Sequence, residues 1–393
     1  MKKAGTLLLT LLIAAAFGSQ AWAGGQSASS QSAPSSGTAA KPLTKVNVGV
    51  HGNGGGASTV ATAIEKGFFK DYGIDPNVTV VASGPAEMAA MRGDTPTLDI
   101  GYIGPGVAWN PIDSTGNSLS FVFFDNLGNS ERMVARKGLF TRNSAGQFDY
   151  PALYNGLKGK TVYLEIGTTP GGWFKNLVEA INKGYAAGDQ LWIQCQDASY
   201  LAGYTAPNNK PENMVQVVNY ANANLPAGMA TAGSASVDIA VGFEPVPSTI
   251  LKNVSNVELV ADINSLPKDK VFPGTFVANT KWLKANPDLA KNFIYALYKG
   301  ALYRAANAEE AMRFAEKLCA QPDGTFVQTT SAYFFPGLTE YKTWFADANA
   351  AGYGYLRSLY NSAVPNLPKG STPKSFEQAV DYSYLLQAIK EIQ

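Results

Sequence analysis

The alternation of short apolar runs with small-residue turns constrains the fold of this chain more than any other feature. Residues 45–50, 78–81 and 98–103 are strand-forming runs, and each leads through a turn rich in Gly, Ser or Pro into a helical pattern. Strands that alternate with short helices imply parallel β-α-β units. The same succession restarts near Leu157 with a strand over 160–166. The sequence therefore predicts an α/β fold with two lobes.

An internal similarity also favours two lobes of similar build. In 88–101 and again in 229–240, a helix of small residues leads through a turn to an Asp that precedes a strand. The turn chemistry common to all α/β proteins is the alternative explanation. The predicted organisation has five parts: a signal peptide (1–23), a flexible linker (24–44), a first lobe (45–137 and 244–300), a second lobe (138–243) and a helical C-terminal segment packed on the first lobe (301–393).

The first residues are typical of an export signal. Lys2 and Lys3 precede an apolar run over 7–17, and small residues lead to a cleavage site after Ala23. The apolar run is shorter than the ~18–20 residues that a membrane-spanning helix needs. We therefore expect a periplasmic protein whose signal peptide, 1–23, is removed.

Composition excludes several functional classes. Lys plus Arg number 31 and Asp plus Glu number 30, so the chain has no strong field with which to bind nucleic acid. His51 is the one histidine, and Cys195 and Cys319 are the two cysteines. This inventory argues against zinc and iron–sulfur sites, and two cysteines leave a disulfide undecided. No nucleophile elbow, P-loop lysine, C-x-x-C or H-E-x-x-H motif occurs, so we expect no enzyme, catalytic residue, metal or cofactor.

A glycine-rich turn over 51–57 follows the first strand. Gly52, Gly54 and Ala57 fit the spacing of a dinucleotide-binding turn, but 80–83 lacks the acidic residue that such a site needs for the ribose. The favoured interpretation is that the glycines let a ligand approach the backbone, while the helix start supplies N–H donors. We expect His51, Gly52 and Asn53 to line the wall of a cleft.

Similar turns follow three further strands. They are Ser83-Gly84, Gly104-Pro105-Gly106 and Thr168-Thr169-Pro170-Gly171. The carboxyl ends of parallel strands are where ligands bind in open α/β sheets, so we expect a site of hydroxyls and backbone N–H groups. No Lys or Arg occurs in these turns. A sulfonate or nitrate there would meet only neutral dipoles, and a neutral ligand fits equally.

Aromatic residues and one carboxylate flank these turns. The aromatic residues are Tyr102, Trp109, Phe124, Trp173 and Phe243, for each of which core packing is the alternative to ligand contact. Glu244 follows an apolar strand, where it could pair with a ligand ammonium, accept hydrogen bonds at a crossover, or be solvated.

Four segments together resemble the solute-binding proteins of nitrate/sulfonate/taurine ABC importers. Residues 63–74 are similar to the family's A-x-x-x-G-x-F-x-x-x-G-(L/I) segment, and 99–106 to its D-I-G-x-x-G stretch. The entry to the second lobe, 157–169, also resembles the family, as does 237–245, in which Phe243 stands where Trp is usual. The likeness extends from residue 45 to about residue 300.

The resemblance implies a type II periplasmic-binding-protein fold, in which two lobes joined by two crossovers close on a ligand and present it to a membrane permease. The ligand-binding residues expected from the turns and the resemblance are His51, Gly52, Asn53, Ser83, Gly84, Tyr102, Gly104, Thr168, Thr169, Trp173 and Glu244.

The expected function is non-enzymatic capture of a small anionic molecule (an organosulfonate, taurine or a nitrate-like ion) by a monomer that delivers it to an ABC importer. One alternative is a neutral or aromatic ligand such as a pyrimidine vitamin precursor. Another is a ligand-sensing partner of a receptor. Pyrimidine-synthesising enzymes of the thiamin pathway share the fold, but they carry a Cys-rich motif that this chain lacks.

Overall fold

The computed structural model describes residues 42–92, 95–104, 119–128, 130–233, 236–267, 270–364 and 372–392. The predicted signal peptide, nearly all of the predicted linker, Trp109 and the helix expected after Gly104 lie outside these residues. Residues Pro42–Gln393 group into one compact unit.

Six strands form the first sheet. They are β1 (Thr44–His51), β2 (Ile74–Val81), β3 (Ile100–Ile103), β4 (Leu119–Gly128), β11 (Pro273–Asn279) and β12 (Tyr333–Phe334), in the order β12-β4-β11-β3-β1-β2. The strands β2, β1 and β3 are parallel, and β11 runs antiparallel to β3 and β4. Val46, Val48 and Val50 of β1 are fully buried, because helices cover the sheet.

Six strands form the second sheet. They are β5 (Glu131–Arg136), β6 (Thr161–Leu164), β7 (Trp192–Cys195), β8 (Met214–Asn219), β9 (Ile239–Phe243) and β10 (Val257–Ala261), in the order β10-β5-β9-β6-β8-β7. The strands β7, β8, β6 and β9 are parallel, whereas β5 and β10 pair antiparallel at the other side of the sheet.

The chain crosses between the sheets after β4 and returns after β10. The sequence analysis assigned both 131–136 and 257–261 to the first lobe, but the structure pairs these strands within the second sheet. Each strand contains an apolar stretch, at 133–135 and at 259–261, that either sheet could bury. Their hydrophobic pattern identifies a strand without identifying its partner, and this is why the assignment differs.

Helices cover both sheets. Those in the described residues are α1 (Gly56–Glu65), α2 (Phe68–Asp71), α3 (Gly84–Met91), α4 (Tyr150–Leu157), α5 (Thr169–Asn182), α6 (Leu225–Ala230), α7 (Val246–Asn253), α8 (Thr280–Ala285), α9 (Pro287–Ala306), α10 (Ala308–Leu318), α11 (Leu338–Trp344), α12 (Ala351–Ala363), α13 (Phe376–Ala379) and α14 (Ser383–Glu391). Side chains from α10 to α14, including Met312, Tyr341 and Leu385, are buried in the core of the first sheet. In the described residues no helix is both long and apolar enough to cross a bilayer.

The two similar segments occupy equivalent places in the two sheets. Asp99 precedes β3 after α3, and Asp238 precedes β9 after α6. Each carboxylate binds the neighbouring strand: the backbone N–H of Asn47 in β1 donates to Asp99 over 2.8 Å, and Arg136 in β5 contacts Asp238 at 3.1 Å. The two cysteines, Cys195 and Cys319, are free thiols.

Candidate functional site

A cavity of about 450 Å³ lies where the carboxyl ends of the parallel strands of both sheets meet. That edge is where ligands bind in open α/β sheets. Nine of the residues expected at the site line this cavity: His51, Gly52, Asn53, Ser83, Gly84, Tyr102, Gly104, Thr168 and Thr169. The structure therefore brings turns from both halves of the sequence together around one space.

Two expected site residues lie elsewhere. Trp173 is fully buried in the core of the second sheet, because α5 turns this side of its first turns towards the sheet. Glu244 is also fully buried and contacts Arg132 at 3.0 Å. It accepts hydrogen bonds from the backbone N–H of Ser248 over 3.1 Å and from its hydroxyl over 2.9 Å, at the start of α7, and it is not among the described residues that line the cavity.

The glycine-rich turn also differs from its expected role. Gly52 lines the cavity, but Gly55 and Gly56 pack against the ring of Tyr102, so closely that a Cβ on either would overlap it. These glycines make room for a side chain rather than for a ligand. No residue of α1 is among the described residues that line the cavity, so its N–H donors do not face the site.

His51 is held by a buried acid. Its Nε2 atom lies 2.6 Å from Oε2 of Glu87, a residue of α3 whose side chain is fully buried. Burial raises the pKa of Glu87, and the adjacent His51 opposes this shift. A Cβ on Gly49 would lie 2.5 Å from the Glu87 carboxylate, so β1 needs glycine there.

A chain of buried polar groups fixes Tyr102. Arg304 of α9 and Asp125 of β4 are both fully buried, 2.9 Å apart. Asn126 donates to Asp125 over 2.8 Å and to the Tyr102 hydroxyl over 2.9 Å. Burial raises the pKa of Tyr102, and nearby Asp125 adds to this shift. The ring therefore meets the cavity in a set orientation and as a neutral phenol.

Glu131, which the sequence analysis missed, is the most deeply buried acid in the cavity wall, with 3% of its surface exposed. Its Oε1 atom accepts hydrogen bonds from the hydroxyls of Thr169 and Ser130. Burial raises the pKa of Glu131; the Thr169 hydroxyl opposes this shift, and Glu244 adds to it. No pattern around 131 marks this acid, because it lies at the start of a strand that follows a crossover.

Glu165 is the second missed acid. It follows β6 at the carboxyl edge of the sheet, the position that also drew attention to Thr168, so a search for acids at strand ends would have found it. The backbone N–H of Asn222 donates to its carboxylate over 2.8 Å. The Asn222 side chain in turn exchanges two hydrogen bonds with the backbone of Phe243, at 3.1 and 3.2 Å, and so fixes the backbone that carries this aromatic residue of the wall.

The C-terminal segment supplies another part of the wall. Tyr333 of β12 lines the cavity, and its buried hydroxyl has no hydrogen-bond partner among the described residues. Burial raises the pKa of Tyr333 well above its usual value. Two residues earlier, Ser331 accepts a hydrogen bond from Arg132 of β5 over 3.4 Å, so this segment contacts both sheets.

The charged side chains in the described cavity wall are mainly acidic. The described lining residues include Glu131, Glu165 and His51 but no Lys or Arg. The rings of Tyr102, Phe243, Phe272 and Tyr333 form much of the rest. No group of His, Cys, Asp and Glu side chains suited to a metal ion occurs within the described part of the chain.

No protein-family model matches the sequence. Over 273 residues the chain is 28% identical to a Brucella abortus (strain 2308) protein named "Putative binding protein BAB2_1146", a match that covers 69% of this chain and 70% of the relative. Among solved structures it is similar to the periplasmic nitrate-binding protein NrtA from Synechocystis PCC 6803, with a TM-score of 0.61, 13% identity and coverage of 89% of each chain. It is also similar to the periplasmic aliphatic sulphonate binding protein SsuA from Escherichia coli, with a TM-score of 0.58, 13% identity and coverage of 86% of this chain and 97% of the other. The chain has the periplasmic binding protein fold.

The periplasmic binding protein fold confirms the prediction of two α/β lobes around a cleft. The resemblance drawn from the four sequence segments is confirmed as well, since nitrate-binding and sulfonate-binding proteins are among the structural neighbours. At 13% identity this likeness concerns the fold, and what each neighbour binds is a property of that neighbour.

Proposed function

We propose that this chain is an exported solute-binding protein that captures a small molecule between its two lobes and delivers it to an ABC importer. The cavity of about 450 Å³ carries this proposal, because turns of both sheets line it and its volume suits a small ligand. The protein acts as a monomer without catalysis, in the periplasm, after removal of residues 1–23.

Capture works by closure of the lobes. A ligand favours the closed state only through contacts that it makes better there than in the open state. His51 and Tyr102 belong to one sheet, and Glu165 follows a strand of the other, so a ligand between them gains contacts from both lobes on closure. The crossovers after β4 and β10 are the segments about which such a movement turns.

The ligand is the finer part of the proposal. A sulfonate or nitrate in this cavity would lie beside Glu131 and Glu165 with no Lys or Arg from the described wall to offset them. Like charges in a desolvated site repel strongly, so this arrangement favours the alternative of a neutral or aromatic ligand. The four rings of the wall provide apolar faces for such a molecule.

Thermal unfolding of the chain from residue 24 tests the proposed function. The panel contains taurine, benzenesulfonate, nitrate and aminopyrimidines, and native mass spectrometry detects any small molecule that copurifies. A ligand at about 100 times its Kd adds about 2.7 kcal/mol, which shifts the midpoint by a few degrees. We expect a shift with at least one member.

A cavity-filling variant locates the binding. Ala82 lines the cavity and is exposed, so Ala82→Trp should fold and lose the shift. Ala202→Trp is the matched control, because Ala202 is exposed and away from the cavity. A panel without any shift, together with a protein that carries no small molecule, would contradict the proposed function. Reconstitution with the importer distinguishes transport from sensing for a receptor.

A further inference from the structure

We infer that the cavity selects a small planar cation whose charge is carried by N–H groups, such as an amidinium, a guanidinium or a protonated amino-heterocycle, with Glu131 and Glu165 as its partners. This inference rests on the proposed function and names the ligand class for the same site. It reverses the sign of the charge that the sequence led us to expect.

Glu131 is a buried acid without a counter-ion. Its Oε1 atom accepts hydrogen bonds from the hydroxyls of Thr169 and Ser130, and the carboxylate also accepts one from its own backbone N–H, but no Lys, Arg or His among the described residues reaches it. An ionised carboxylate that is 3% exposed costs considerable free energy unless a cation compensates it. The side chain lines the cavity, so the space from which a partner can come is the ligand site itself.

The neighbouring cation does not fill this role. Arg132 follows Glu131 in β5, but its guanidinium contacts Glu244 at 3.0 Å. It also donates to Ser248 and to Ser331 over 3.4 Å each. Arg132 is thus paired within the protein, and it is not among the described residues that line the cavity. The carboxylate of Glu131 is therefore available to pair with a cationic group of a ligand.

Glu165, which follows β6 of the same sheet, adds a second acceptor to the cavity wall. The backbone N–H of Asn222 binds its Oε2 atom over 2.8 Å, and no hydrogen bond from the described residues reaches Oε1. No Lys, Arg or His forms a salt bridge with Glu165 or Glu131 among the described residues. A ligand with several N–H groups, fixed in one plane, can donate to both acids, and charge-assisted bonds of this kind are the strong ones.

Aromatic rings reach the cavity from both sheets, with Tyr102 and Tyr333 in the first and Phe243 in the second. Tyr102 is held by Asn126, and Tyr333 reaches the cavity from β12. The negative face of an aromatic ring attracts a cation, and a planar ligand also gains from stacking. The buried Tyr333 hydroxyl, which has no partner in the described residues, provides one further polar contact. Acids without a cationic partner, together with aromatic rings, match a flat N–H cation better than an anion.

Three probes with one ring and different charge test this inference on the chain from residue 24. They are benzamidinium (a cation), benzamide (neutral) and benzenesulfonate (an anion), each titrated at millimolar concentration by calorimetry and by thermal shift. We expect benzamidinium to bind at least tenfold more tightly than benzamide, and benzenesulfonate to bind more weakly than either.

Two isosteric variants locate the selectivity. We expect Glu131→Gln and Glu165→Gln each to weaken benzamidinium binding by about tenfold or more, the effect of losing a charge-assisted bond, while changing benzamide binding little. Glu212→Gln is the matched control, since Glu212 is exposed and lies outside the cavity, and it should leave all three affinities unchanged. Circular dichroism establishes that each variant folds.

The outcomes separate the two proposals. Benzenesulfonate binding as tightly as benzamidinium, or benzamidinium binding that neither Gln variant weakens, would overturn the cation inference and leave the solute-binding function standing. Failure of benzamidinium to bind at millimolar concentration would overturn it too. If, in addition, nothing in the wider panel binds and no small molecule copurifies, the proposed function fails with it.

Discussion

The buried acids near the cavity differ between the two sheets in whether each has a cationic or imidazole partner. On the side of the first sheet, Glu87 contacts His51 at 2.6 Å and Asp125 contacts Arg304 at 2.9 Å, so each acid has a cationic or imidazole partner within the fold. On the side of the second sheet, Glu244 contacts Arg132 at 3.0 Å, whereas Glu131, which lines the cavity, accepts hydrogen bonds from two hydroxyls and its own backbone N–H and has no cationic partner among the described residues. The difference teaches that charge compensation is complete where it stabilises the fold and incomplete where a ligand would lie.

The largest expected loss of stability concerns the buried pair of Arg304 and Asp125 on the side of the first sheet. Arg304→Met leaves Asp125 buried without its guanidinium, which is expected to lower the free energy of unfolding by about 3–5 kcal/mol. Both side chains are fully buried, and Arg304 also donates to the Asp125 carbonyl over 2.6 Å. Urea denaturation measures the loss.

The matched control for that variant is an exposed pair. Arg313 contacts Asp323 at 2.8 Å, with 52% and 83% of the two side chains exposed. Arg313→Met should cost less than about 1 kcal/mol, because water screens such a pair. Equal losses in the two variants would show that the buried chain from Arg304 to Tyr102 has no special part in the fold.

A second prediction separates core aromatic residues from those of the cavity. Trp173→Ala should lower the free energy of unfolding by about 3 kcal/mol, near the low end for such truncations, because its buried Nε1–H has no partner among the described residues and its removal recovers some free energy. Phe243→Ala should cost less stability, since Phe243 is half-buried, and should instead weaken ligand binding.

The readouts for that pair are urea denaturation and the titration of whichever panel member or probe binds. If Trp173→Ala abolished binding without loss of stability, Trp173 would be a ligand contact, as the sequence first indicated.

Because Glu131 is buried without a cationic partner among the described residues, we expect the stability of the protein to depend on pH. Burial raises the folded-state pKa of Glu131 above its ordinary value of 4.5. The stability that a carboxyl with a raised pKa contributes is fully present below its pKa in the unfolded chain. That stability is lost as the pH rises through its pKa in the folded protein. The stability of the wild type should therefore fall relative to Glu131→Gln above about pH 4.5, by up to about 1.4 kcal/mol per pH unit.

Three ionisable groups interact electrostatically with this acid, namely Glu244, Tyr102 and Tyr333, and Arg132 contacts Glu244. Urea denaturation of both proteins between pH 4 and pH 8 isolates the Glu131 contribution, because the other groups are common to both. Glu212→Gln, an exposed change, should run parallel to the wild type throughout. If the free energy of unfolding of Glu131→Gln also ran parallel to that of the wild type across this pH range, burial would not raise the pKa of Glu131 in the folded protein.

Much of the architecture could be predicted from the sequence. The strands around 45–50, 78–81 and 160–166 follow from β-branched runs that small-residue turns delimit, and both features are local. The same rules led to nine residues of the cavity wall, since a strand end is itself a local feature. Membership of β5 and β10 in the second sheet depends on long-range pairing, which an apolar pattern does not encode.

The unforeseen parts of the site have one cause in common. Glu131 and Tyr333 reach the cavity because of a crossover and of a C-terminal strand, and neither has a neighbouring motif. Glu244 was expected at the site because it follows a strand, yet Arg132 and Ser248 bind it in the interior. Which buried acid has a cationic partner depends on residues far away in sequence, so the turn chemistry and the family resemblance alone led us to expect an anionic ligand.

The smallest expected effect compares two tyrosine hydroxyls. Tyr341 donates to the carbonyl of Phe124 over 2.8 Å, whereas the buried hydroxyl of Tyr333 has no partner among the described residues. Tyr341→Phe should cost about 1 kcal/mol of stability, because it leaves that carbonyl without its donor. Tyr333→Phe should change stability by less than about 0.5 kcal/mol, since no bond within the protein is lost. A Tyr333→Phe variant that weakens ligand binding while its stability is unchanged would place this hydroxyl in the site, and equal destabilisation by both changes would place it in the fold instead.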